Sequence, residues 1–174
     1  MISIVTSSVG ENRKLAEQIW ANLSERRVDC QLVDLVECQL PLYSSIEEAK
    51  GIPEAVIRLS GKLKESDGFL FVAPEYNGGI PPVLVNAITW VSRSGKDWRE
   101  AFNGKVAALA TYSGGGGAYV LSAMRNQLSY LGMNLVGRQL LTNSKRPLAE
   151  MDLDSVLDQL LSMSHSLQDP ERIC

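Results

Sequence analysis

The sequence predicts an α/β three-layer sandwich, a five-stranded parallel sheet with helices on both faces. Three observations carry that prediction. Short apolar runs alternate with stretches of helical periodicity along the 174 residues. One run, Gly68-Phe69-Leu70-Phe71-Val72-Ala73, is apolar almost throughout, as a strand buried on both faces requires. The runs at 2–6, 68–73 and 106–111 each lead into a loop rich in Gly, Ser or Asn.

Each element follows from its own residues. Ile2, Ile4 and Val5 make 2–6 a β-branched strand. Residues 12–27 read as a helix, with Leu15, Ile19 and Leu23 four apart on one face. A second strand covers 30–35, beginning at Cys30, and a loop carrying Cys38 runs on through Pro41, Leu42 and Tyr43. Pro53 opens the next helix, where its missing N–H costs nothing, and Val56, Leu59 and Leu63 give that helix a buried stripe. Pro74 stops the third strand, and Pro81-Pro82 opens a helix through Val85, Ile88 and Val91. After the fourth strand at 106–111, a helix over 119–131 ends at Gly132, a residue suited to a left-handed C-terminal cap. Residues 135–141 read as a fifth, weaker strand and 153–167 as a last helix. At this length the expected strand order is the flavodoxin-like 2-1-3-4-5, in a single domain over 1–174.

Composition narrows the function classes. A net charge of −3 without any Lys/Arg block argues against a duplex nucleic-acid binder, which needs a basic face. No apolar run approaches the roughly 20 residues of a membrane-spanning helix. Met1 leads straight into the first strand with no signal-type segment, so the expected location is the cytoplasm. Cys30, Cys38 and Cys174 form no C-x-x-C pair and His165 is the sole histidine, so no metal site is expected. Cys174 is expected at an exposed tail.

In a doubly wound sheet, ligands bind beyond the carboxyl ends of the strands, near the point where strand order reverses. Three loops fall there: 6–12, 74–81 and 112–118. Any one of them can be an ordinary connection; three at one edge point to a ligand. In the first, a strand meets a helix N-terminus whose free N–H groups favour an anion, and Ser7, Ser8 and Asn12 add short donors. Ser8 or Asn12 can equally serve as the helix N-cap. The second, Pro74-Glu75-Tyr76-Asn77-Gly78-Gly79, pairs an Asn-Gly turn that tolerates positive φ with an aromatic ring and a carboxylate. It suits close approach of backbone to a flat ring. The third, Ser113-Gly114-Gly115-Gly116-Gly117, is neither a P-loop nor a dinucleotide fingerprint, and its glycines suggest close backbone approach.

The second loop, continued through Ile80-Pro81-Pro82-Val83-Leu84-Val85-Asn86-Ala87-Ile88-Thr89-Trp90, closely resembles the signature of the NADPH-dependent FMN reductase family, which includes azoreductases, chromate reductases and quinone reductases. The helix start at 12–16, the segment 113–117 and Leu131-Gly132 support the resemblance. It implies a flavodoxin-like fold and a homo-oligomer, dimer or tetramer, with FMN near a subunit interface. It further implies an FMN phosphate held by Ser7, Ser8 and Asn12, and ribityl and isoalloxazine groups contacted by Pro74, Glu75, Tyr76, Asn77, Gly78 and Gly79. The backbone N–H groups of Asn77, Gly78 and Gly79 would lie near N5 and O4, and Ser113, Gly114, Gly115, Gly116 and Gly117 would line the pyrimidine edge. NADPH or NADH would be co-substrate, and a quinone, azo or similar small molecule the electron acceptor. No side chain is expected to be catalytic, because flavin N5 carries the chemistry.

Two departures from the family pattern stand out. The first loop is short and lacks the family's Arg, and Glu11 sets a negative charge beside the expected phosphate. Thr89 replaces an acidic residue before Trp90. The first departure predicts weakened FMN binding and motivates an alternative, a flavodoxin-like binding or electron-carrier protein with weak or lost FMN. A hydrolase is disfavoured, since no G-x-S-x-G is present and His165 lies far along the chain from Ser113.

Overall fold

The computed structural model describes residues 1–168, so Cys174 lies outside it. The chain begins with β1 (Ile2–Thr6), α1 (Glu11–Glu25) and β2 (Cys30–Asp34). A short α2 (Ser45–Glu48), then α3 (Glu54–Lys64), β3 (Gly68–Val72), α4 (Pro82–Arg93) and β4 (Val106–Tyr112) follow. It continues through α5 (Ala118–Tyr130), β5 (Asn134–Leu135) and β6 (Leu140–Thr142) to α6 (Glu150–Gln168).

The strand order is β2-β1-β3-β4-β5, with every pairing parallel and β6 also against β4. This is the expected flavodoxin-like sandwich, with one local difference. The fifth strand comes in two pieces, since Gly137, Arg138 and Gln139 leave the ladder between β5 and β6. Glycine is a poor strand residue, and Arg138 and Gln139 are exposed, so no burial holds those positions to the sheet.

Alternation along the central strands builds two cores. Phe69 and Phe71 point with Ala107 and Leu109 toward α3, α4 and α5. Leu70 and Val72 point with Ala108 and Ala110 toward α1 and α6, where Leu15, Ile19, Leu23, Leu157 and Leu160 close the layer. The period-2 pleat thus converts near-continuous apolar runs into two buried faces. Among the described residues no helix is long and apolar enough to cross a membrane.

The short α2 falls in what reads as loop from sequence. It is capped by the Ser44 hydroxyl, which accepts the Glu47 N–H at 3.1 Å, the Ser-x-x-Glu pattern of a helix start.

Candidate functional site

The strand order reverses across β1 and β3, and the three loops meet at the carboxyl edge there. The first joins β1 to α1. Gly10 caps the helix by backbone alone, its carbonyl accepting the N–H groups of Arg13 and Lys14 at 2.9 and 3.2 Å. The N–H groups of Gly10, Glu11 and Asn12 have no acceptor among the described residues. With the helix dipole they form a seat for an anion. Ser7 is buried and donates a long bond of 3.4 Å to the Val72 carbonyl; Ser8 is half-buried.

The Asn12 side chain does not act as the N-cap of α1. Its Nδ2 donates to the Tyr112 carbonyl at 2.8 Å and its Oδ1 accepts the Tyr112 N–H at 2.7 Å. The amide is held against the end of β4 and does not cap α1.

The charges around this loop are internally matched. Arg13 turns to the far side of the loop, bonding Glu17 at 2.8 Å, Glu37 at 3.3 Å and Asp34. The bond to Glu17 raises its guanidinium above the ordinary value against the opposing cost of burial, with Asp34 and Glu37 adding to the rise. Lys14 pairs with Glu11 at 2.7 Å, and that hydrogen bond raises the ammonium. The Glu11 charge beside the anion seat is therefore compensated, though no free cation points into it from α1.

The second loop is a two-residue turn with Asn77 at φ 52° and Gly78 at φ 73°, the positive values that Asn-Gly accommodates best. Tyr76 N–H donates to the Gly79 carbonyl at 3.1 Å and Gly79 N–H to the Tyr76 carbonyl at 2.9 Å. The Gly79 N–H is thus committed within the turn, which leaves those of Asn77 and Gly78 at its tip. Pro74 is buried and Tyr76 exposed. Glu75 reaches across to α5, where its Oε2 accepts the Val120 N–H at 3.2 Å. The N-cap position of that helix is Gly117, with no side chain to cap it, and Glu75 supplies the acceptor from another loop.

The third loop uses its glycines for different reasons. Gly116 and Gly117 sit at φ 105° and 74°. A Cβ on Gly117 would stand 2.6 Å from Thr111 Cγ2 and 3.3 Å from Ser113 Cβ. Gly114, by contrast, has nothing within 4 Å of such a Cβ, and Gly115 faces Glu75 Oε1 at 3.1 Å. Ser113 is buried, its Oγ accepting the Gly115 N–H at 3.2 Å and its N–H donating to the Thr142 carbonyl at 3.0 Å. The third and second loops are tied by Thr111 Oγ1, which donates to the Ala73 carbonyl at 2.7 Å.

The expected residues therefore converge, with Asn12, Glu75 and Gly79 N–H engaged in holding the loops together. Sequence reasoning did not find Thr111 and Thr142, which stitch the ends of β3, β4 and β6; hydroxyls at strand ends carry no distinctive spacing. Asn86 and Trp90 of the signature segment are also structural. Asn86 bonds Tyr43 N–H and the Pro41 carbonyl at 2.8 and 2.9 Å, and Trp90 Nε1 donates to the same carbonyl at 2.7 Å. His165 is exposed on α6 and lines a cleft with Met1 and Asp67 at the opposite edge of the sheet, so it cannot serve Ser113 as a base. Among the described residues no group of three or more His, Cys, Asp or Glu is placed to hold a metal ion.

Comparison with known proteins supplies a context for this edge. The family model described as NADPH-dependent FMN reductase matches residues 2–146. A quinone reductase of Pseudomonas putida is 34% identical over 137 residues, covering 76% of this chain and 71% of the relative. A 2-hydroxy-1,4-benzoquinone reductase from Burkholderia sp. is 32% identical over 143 residues, covering 79% and 74%. In three dimensions the chain resembles a flavoenzyme NAD(P)H:(acceptor) oxidoreductase from Paracoccus denitrificans, with a TM-score of 0.72, 22% identity and 96% of both chains covered.

Proposed function

Because the chain belongs to the NADPH-dependent FMN reductase family, and is therefore an FMN- and NAD(P)H-using oxidoreductase, we propose that it reduces quinones, azo compounds or similar small acceptors at the edge formed by its three loops. The observation that carries this reading is the exposed, unpartnered backbone of those loops. Gly10, Gly114 and Gly116 each have nothing within 4 Å of a built Cβ, and the N–H groups of Gly10, Glu11, Asn77 and Gly78 lack acceptors among the described residues. Such a surface fits a phosphate at one end and a flat heterocycle at the other.

In this reading the FMN phosphate would be held by the backbone N–H groups at the first turn of α1 together with Ser7 and Ser8. Asn77 and Gly78 would offer N–H groups to the ring, and the Gly114 and Gly115 backbone would line its pyrimidine edge. FMN held there would supply the redox chemistry, a two-electron relay between NAD(P)H and the acceptor. The chain contributes placement: donors held in advance by the turn, and the positive end of α4, favour added negative charge on the ring. For a quinone the balance is NAD(P)H, a proton and quinone to NAD(P)⁺ and hydroquinone. We assign the chain to the cytoplasm as a homo-oligomer, and size-exclusion with light scattering distinguishes dimer from tetramer.

The decisive experiment is NAD(P)H oxidation by the purified protein with and without FMN and benzoquinone. Turnover that needs both supports the reading. The alternative, an electron carrier with weak FMN, is favoured by the pairing of Arg13 and Lys14 with carboxylates, which leaves the phosphate only neutral donors. FMN binding without NAD(P)H-driven turnover would select it.

A further inference from the structure

The two hydrogen bonds of Asn12 are the only ones, among the described residues, that join residues 7–14 to residues 112–117. Asn12 stands in the first turn of α1, directly after the anion seat. Tyr112 is the last residue of β4, and the glycine loop starts at the next residue. The bond pair spans 100 residues of sequence, is 2.8 and 2.7 Å long, and Asn12 is only 4% exposed. Each polar end of the amide bonds the same peptide group, which fixes the side chain in a single orientation against the end of β4.

From this geometry we infer that the Asn12 side chain is a positioning group that holds the phosphate half of the flavin site in register with the ring half, without its amide touching the phosphate. The inference rests on the functional reading above, in which the serines and backbone N–H groups at the start of α1 take the phosphate and the glycine loop lines the ring. A ligand that spans two seats gains from their fixed spacing, since binding at one raises the effective concentration at the other. Fragments that occupy one seat gain nothing from it. The clamp thus acts on FMN as a whole and on neither riboflavin nor phosphate alone. This separates it from a phosphate ligand, whose removal would weaken phosphate itself, and from a general structural residue, whose removal would weaken all three together.

The test is to substitute Asn12→Ala in the full chain and measure three affinities: FMN and riboflavin by flavin fluorescence, and inorganic phosphate by competition against FMN. Removal of two neutral hydrogen bonds is expected to weaken FMN about tenfold, while riboflavin and phosphate each stay within about twofold of wild type. The thermal midpoint of the variant is recorded alongside. If Asn12→Ala folds too poorly to titrate, Asn12→Ser, which retains one hydrogen-bonding oxygen, should show the same pattern at smaller size. Loss of phosphate binding with riboflavin spared would make Asn12 a direct ligand and overturn the inference. So would equal weakening of all three ligands, or no change in any. A wild-type chain that binds none of the three overturns the functional reading and the inference with it.

Discussion

Two alanine substitutions in the four-glycine loop separate folding from binding. At Gly117 an alanine meets two penalties. The residue sits at φ 74°, and left-handed backbone costs an L side chain about 1–2 kcal/mol. Its Cβ would also lie 2.6 Å from Thr111 Cγ2, at a buried position, and overpacking of that kind costs about 1–3 kcal/mol. The sum, about 2–5 kcal/mol, is a large part of an ordinary domain's stability. At Gly114 neither penalty applies: φ is not positive, and no atom lies within 4 Å of the built Cβ. Alanine there should leave folding unchanged or improve it by up to about 1 kcal/mol, through a less flexible unfolded chain. Its methyl group would instead enter the space assigned to the flavin and weaken FMN by about tenfold or more. Urea denaturation followed by circular dichroism reads the first effect and flavin fluorescence titration the second. A Gly117→Ala protein as stable as wild type would refute the packing argument. A Gly114→Ala protein that binds FMN normally would refute the placement of the ring against this loop.

Three further outcomes follow from side chains that hold the loops. Glu75→Ala removes the acceptor for the Val120 N–H and should cost about 1 kcal/mol, the usual worth of a helix cap, with Glu75→Gln intermediate; urea midpoints check this. Arg13→Ala should lower stability by about 1–2 kcal/mol by leaving the buried Asp34 without its cation, yet leave FMN affinity within about twofold, because the guanidinium faces carboxylates and away from the anion seat. Burial pushes the Cys38 thiol up, so less thiolate is present at mildly alkaline pH, and peptide mapping after iodoacetamide treatment should find it slower to alkylate than a free small-molecule thiol.

The fold was largely legible because its signals are local. Leu15, Ile19 and Leu23 announce a helix face by spacing alone, and all three are buried against the sheet. The Asn77-Gly78 turn was legible for the same reason, since few residues accept two successive positive φ values. What escaped were properties set by distant partners. Glu17, four residues on, was a visible partner for Arg13, but Asp34 and Glu37 lie on and after β2, and the peptide that binds Asn12 lies 100 residues on, so the sequence near either residue leaves these partners unseen. The break between β5 and β6 was hidden for another reason: the apolar residues on either side of Gly137 mask a gap in the ladder. The glycine run could be read as a site for close approach, but dividing it into a left-handed cap at Gly117 and open space at Gly114 required coordinates.

If one edge of the sheet carries both halves of a flavin site, amide chemical shifts will report both halves at once. Titration of labelled protein with FMN should shift the amides of Gly10 and Glu11 together with those of Asn77, Gly78 and Gly114, and riboflavin should shift the last three while sparing the first two. FMN-induced shifts that fall elsewhere on the molecule, or none at saturating FMN, would rule out a flavin site at this edge.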